Sequence, residues 1–137
     1  MKPISLVLAA VCAVLLSLPV PAEAFSARRH MRVYPVNDAV FEVIAPTAAV
    51  AGDYWCGAAD YAQRALGAVW NARIYIARGR GPSVTTGRRT AVQFTLQPAA
   101  AGVTPIGPVF AIDRMTPGDN MTVAQALTFC DQQPARP

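Results

Sequence analysis

Hydrophobic and polar positions change period several times along the chain, and each change marks an element. Residues 31–36, "MRVYPV", and 39–45, "AVFEVIA", are rich in β-branched and aromatic side chains. "ND" at 37–38 supplies turn chemistry between them, so they read as two strands, the first weakened by Pro35. "PTAAVAG" (46–52) reads as a loop. Asp53 is then the expected N-cap of a helix running to about Leu66, with Gly67 as the stop. At helical spacing Trp55, Ala58, Ala59, Ala62 and Leu66 share one face, bordered by Tyr54, Tyr61 and Ala65. Asp60, Gln63 and Arg64 fall on the opposite, polar side. Cys56 sits on the flank of the apolar face.

The period then drops to two. Trp70, Ala72, Ile74 and Ile76 alternate with Asn71, Arg73 and Tyr75. Val92, Phe94 and Leu96 alternate with Ala91, Gln93 and Thr95. Two half-buried strands, 70–78 and 90–96, follow from this pattern. "GRGPSVTTGRR" (79–89) is long for a hairpin loop, so an antiparallel pair with a projecting arm is expected.

Residues 97–108 read as loop, "VFAID" (109–113) as a short strand and "TPGDN" (116–120) as a turn. "TVAQALTFC" (122–130) carries a capping-box pattern, Thr122 with Gln125 three residues on. Val123, Ala126, Leu127 and Cys130 make its helical stripe, and "DQQPARP" reads as a frayed tail. The stretch "MTPGDNMTVAQAL" (115–127) resembles the opening of a LysM peptidoglycan-binding module, with its G-D turn leading into a helix. A LysM needs a second helix and a returning strand, and neither follows in the sequence. The stretch is therefore read as turn and N-cap chemistry.

The N-terminus belongs to a different class of segment. Lys2 precedes an apolar run, Ile4 to Leu18, broken by Ser5 and Ser17. "PVPAEA" then places Ala22 and Ala24 at the small-residue positions of an A-x-A cleavage site. This is the layout of a secretory signal peptide, residues 1–24, cleaved after Ala24. The run is shorter than the roughly 20 residues a membrane span needs. Residues 25–137 are expected to be one mature domain with frayed ends, periplasmic or secreted, with no transmembrane segment.

Composition refines this picture. Of the 137 residues, 12 are Lys or Arg and 8 are Asp or Glu, giving a net charge of +4. Loss of 1–24 removes Lys2 and Glu23 and leaves that balance unchanged, so every remaining cationic side chain is arginine, with His30 the one histidine. The Ala, Arg, Gly, Pro and Val richness is of the kind that GC-rich bacterial coding sequence produces. The small charge excess does not imply nucleic-acid binding, and none is expected. It is compatible with attraction to anionic surfaces or solutes.

Cys56 and Cys130 are the two cysteines beyond the signal segment. An even pair in an exported chain predicts one disulfide. The expected fold is thus α+β: a small single domain, its mostly antiparallel sheet packed on the 53–66 helix, its C-terminal helix tied to that helix by Cys56–Cys130. The alternative makes Cys56 a nucleophile of a hydrolase or redox protein, since helix N-termini favour thiolates. That chemistry needs a base, and His30 lies in the basic lead-in "FSARRH" (25–30). There is no C-x-x-C, no metal-ligand spacing and no paired-carboxylate motif, so no catalytic residue, metal or cofactor is assigned.

The arm carries the one positive signal. Arg73, Arg78, Arg80, Arg88 and Arg89 fall close together, with Gly79, Gly81 and Gly87 between them and the hydroxyls of Ser83, Thr85 and Thr86 nearby. Such a segment can grip carboxylate or phosphate oxygens. The expected role is a non-enzymatic binding or envelope-associated protein whose partner is an anionic envelope component or an acidic protein.

Overall fold

A computed structural model describes residues 23–47, 49–88, 90–107 and 111–132. The expected signal peptide therefore lies almost wholly outside the described residues, as do Arg89, the start of the 109–113 segment and the end of the C-terminal tail.

Six strands form one antiparallel sheet: β1 (Phe25–Ser26), β2 (Arg32–Pro35), β3 (Val40–Ile44), β4 (Arg73–Gly81), β5 (Ala91–Thr95) and β6 (Asn120–Thr122), in spatial order β1-β2-β3-β5-β4-β6. One long helix, α1 (Ala51–Arg64), and a short one, α2 (Val123–Leu127), complete the α+β domain. Cys56 in α1 is bonded to Cys130, in the 3₁₀ turn that follows α2, and joins positions 74 residues apart.

Strand register explains the core. Val33 pairs with Val43 and Val43 with Val92, while Phe41 pairs with Phe94 and Phe94 with Ile76. These side chains share one face because strand residues alternate. Trp55, Ala58, Ala59 and Ala62 of α1 are fully buried with them, and Trp55 meets Phe94 edge to face at 5.2 Å. Gly57 sets the closeness of helix and sheet. A Cβ there would lie 2.9 Å from Val43 Cγ1 and 3.1 Å from Met31 Cβ.

The structure corrects several expectations. The helix begins at Ala51, so Asp53 lies inside its first turn rather than at the cap, and its Oδ2 accepts from Val50 N–H at 3.3 Å. Asp60 is buried, not on a solvated face. Residues 28–30 pack over that side of α1, where Arg28 N–H donates to Asp60 at 2.9 Å and Arg64 grips it with two bonds of 2.6 Å. The basic lead-in 25–30 is therefore packed into the domain. Its Phe25–Ser26 strand closes one sheet edge on β2.

Trp70 is 63% exposed and Leu66 is exposed too. Gly67 adopts φ +68° and Ala68 N–H reaches back to Ala62 C=O, a helix-ending turn that delays the next strand until Arg73. The β5 strand is buried on both faces at Ala91, Val92, Phe94 and Thr95, because it runs between β3 and β4. The described part of the expected 109–113 strand is a 3₁₀ turn, Ile112–Arg114. The expected turn at 116–120 leads straight into β6, which pairs with Arg73–Tyr75. The capping box at Thr122 and Gln125 forms as expected, but the α-helix stops at Leu127 and tightens into a 3₁₀ turn to Cys130.

Candidate functional site

The second face of the sheet carries the polar alternates. Tyr34 pairs with Glu42, Glu42 with Gln93, and Gln93 with Arg78, in a row across four strands. Glu42 would be open to water there, yet it is fully buried. The β4–β5 loop covers it.

This loop is the expected projecting arm, and it does not project. Ser83 N–H bonds Arg88 C=O at 2.6 Å and closes it into a compact turn. The Ser83 hydroxyl donates to Glu42 Oε2, and the Thr85 hydroxyl does so at 2.7 Å. Val84 N–H donates to Oε1 at 3.0 Å and Thr85 N–H to Oε2 at 3.3 Å. The hydroxyl and backbone donors that read as a cradle for an external anion hold an internal one. Burial pushes the Glu42 carboxyl up, but the donors from Ser83, Thr85 and Val84 outweigh it and hold it below its ordinary value.

The loop is thereby pinned to the sheet and sets Arg88, whose N–H donates to Thr86 Oγ1 at 3.3 Å. Thr86 in turn donates to Ser83 Oγ at 2.9 Å. Between this loop and β2 lies a groove of about 430 Å³ with His30, Arg32, Tyr34, Ile44, Thr86 and Arg88 on its walls. On the far side of Arg88 a second groove of about 620 Å³ is lined by Thr47, Tyr54, Arg80, Gly87, Arg88 and Thr90. Ala45, Pro46 and Arg88 belong to both.

All eight acidic side chains lie in described segments. Among the described residues the ion pairs are Arg28–Asp131, Arg29–Asp53 and Arg64–Asp60. Arg32, Arg80 and Arg88 therefore line the two grooves without a carboxylate within ion-pair distance. Arg32 donates to Ser26 Oγ at 3.3 Å, and Arg80 to Asp113 C=O at 2.9 Å, both neutral acceptors. The Arg80 guanidinium also lies 5.6 Å from the Tyr54 ring centroid. Burial pushes the Tyr54 phenol up, with the Arg80 charge opposing.

The five arginines of the sequence cluster thus separate. Arg80 and Arg88 meet at the grooves. Arg78 is half-buried on β4, with its longest reach, 3.5 Å, to Ala91 C=O. Arg73 faces the other end of the sheet, where it donates to Asn120 Oδ1 at 2.8 Å. Arg89 lies outside the described residues.

Two groove residues were missed by sequence reasoning, His30 and Arg32. His30 is held by backbone that the sequence gives little sign of. Arg29 and His30 both take positive φ, 64° and 59°, a region few non-glycine residues adopt. Arg29 is anchored there by donating to Cys130 C=O at 3.1 Å and Phe129 C=O at 3.3 Å. The outward alternation of Arg32 in β2 was the one legible signal for it.

A third groove, of about 540 Å³, contains Arg73, Tyr75, Asp119 and Asn120. Burial pushes the Asp119 carboxyl up, partly offset by Asn120 N–H, which donates to it at 2.8 Å. No nucleophile or second acid stands with it among the lining residues. No group of three potential metal ligands occurs among the described residues, and none of their helices is long and apolar enough to cross a membrane. No protein-family model, curated protein or solved structure matches the chain.

Proposed function

We propose that this chain is a small exported protein, periplasmic or secreted, that binds an anionic partner without catalysing a reaction. The observation that carries the reading is the set Arg32, Arg80 and Arg88, with His30, around two joined grooves, where none of the three arginines forms an ion pair among the described residues. Arginine forks suit carboxylate and phosphate oxygens. An anionic envelope component or an acidic protein fits that chemistry. Export is argued from the residue pattern of 1–24, and a disulfide is compatible with it.

The competing reading gives Cys56 a catalytic role. Cys56 is fully buried and bonded to Cys130, which favours the binding reading. Retention of the mature chain on a carboxylated matrix tests the proposal. Arg32→Ser with Arg88→Ser should elute at clearly lower salt than wild type while keeping its melting temperature. Elution of the double variant together with wild type would remove the groove from the binding reading.

A further inference from the structure

Resting on that anion-binding reading, we infer that the two grooves form one elongated site for a linear acidic oligosaccharide carrying carboxylates along its length. The grooves share Ala45, Pro46 and Arg88, so a ligand can run from one into the other without leaving the surface. The cations are spread along this path rather than gathered: Arg32 from β2 at one end, Arg88 from the loop in the middle, Arg80 from β4 at the other. A single phosphate-sized ion meets Arg88 with one of its neighbours. A chain with a charge on successive units meets all three.

The rest of the lining suits sugars. Ala45 and Pro46 add aliphatic lining that the apolar faces of pyranose rings can meet. Thr47 and Thr90 place hydroxyls on the walls, able both to donate to and accept from sugar hydroxyls. Nucleic acid fits less well, since single strands need exposed aromatic platforms. Tyr54 is 1% exposed, with Arg80 over its ring, and Tyr34 is half-buried. The rim residues Pro46, Thr47, Thr86 and Arg88 are exposed, so the grooves are open troughs without an enclosed apolar chamber for an acyl chain.

Calorimetric titration of the mature disulfide-bonded protein with galacturonate and its di-, tri- and tetramers tests this, with maltotetraose and tetraglutamate as controls. Affinity should rise at least about tenfold from monomer to tetramer, as expected when linked groups engage adjoining subsites. Maltotetraose should not bind, and tetraglutamate should bind more weakly than the acidic tetramer. Arg80→Gln should remove most of the gain in affinity with length. Equal affinity for monomer and tetramer would overturn the elongated site while leaving a simple anion site standing. Tetraglutamate binding as tightly as the acidic tetramer would overturn the sugar assignment in favour of an acidic peptide. Absence of binding to every anion would overturn this inference and the proposed function together.

Discussion

The hydroxyl of Ser83 donates to the buried carboxylate of Glu42, 41 residues away in sequence and on the sheet face opposite α1. This contact turns a glycine- and arginine-rich loop from a free arm into one wall of a groove. Glu42 receives four donors from Ser83, Val84 and Thr85, so little of its hydrogen-bonding capacity is left over.

Glu42→Gln should therefore loosen the loop without dismantling the sheet. The amide –NH₂ would replace an oxygen that accepts backbone or hydroxyl protons, leaving buried donors opposed. A loss of about 1–3 kcal/mol is expected from such mispairing. Urea unfolding measures it, and limited proteolysis should find a new cleavage site within residues 82–88. An uncut loop at unchanged stability would show that Glu42 does not anchor it.

Acid should destabilise the fold through Glu42 and Asp60. Burial raises the Asp60 carboxyl, but Arg64 and Arg28 N–H overcome that and hold it low, as the loop donors do for Glu42. Both titrate lower folded than unfolded, so the unfolded chain binds more protons in acid. Their contribution is complete above the unfolded values near about 4 and is lost as pH falls through the lower folded ones. Asp119 runs the opposite way, since burial raises it and its ionised form opposes folding as pH climbs. Unfolding free energy measured from pH 7 downward should drop most steeply below about pH 4. Asp119→Asn should match or exceed wild-type stability at pH 7.

Removing the disulfide should act at two distances. Cys56→Ala with Cys130→Ala opens a loop spanning 74 residues, which chain-entropy arithmetic sets at about 4 kcal/mol. It also frees the turn whose Phe129 and Cys130 carbonyls hold Arg29, and hence the left-handed backbone that presents His30. Affinity for an anionic matrix should therefore fall in the double variant even at temperatures where it remains folded. Unchanged affinity at matched folded fraction would separate the clasp from the groove.

Gly57→Ala pits helix propensity against packing. Alanine should favour the helix by about 1 kcal/mol. Its methyl, however, would meet Val43 and Met31 at distances that force the helix off the sheet, and overpacking typically costs about 1–3 kcal/mol. A net loss of stability on thermal denaturation is expected. A gain would mean that the helix–sheet gap yields readily.

Trp55 separates volume from polarity. Its indole N–H is buried without a hydrogen-bond partner among the described residues. Trp55→Ala should cost about 3–5 kcal/mol for the cavity it leaves. Trp55→Phe should cost much less than that, because it discards an unpaired donor along with the lost ring. Equal losses in urea unfolding would show that the indole N–H is satisfied in solution.

Local pattern alone determined the secondary elements with the strongest periodicity. The Trp55–Ala62 face, the Val92 and Phe94 alternation and the Thr122–Gln125 cap depend on neighbours within a turn or a pair of residues, so they are written in the sequence. The two cysteines were legible for a different reason: with two thiols beyond residue 24, one intramolecular pairing exists. Register and long-range contact decided the rest. Phe25–Ser26 and Asn120–Thr122 are too short to declare themselves and become strands because β2 and β4 offer edges. Asp60 looked solvated until residues 28–30 covered it. Arginines close in sequence were separated along β4 and the loop after it, while Arg32 and His30 joined Arg88 from half a chain away. A groove is a property of surfaces brought together across the sheet, and its residues share no spacing that one segment could reveal.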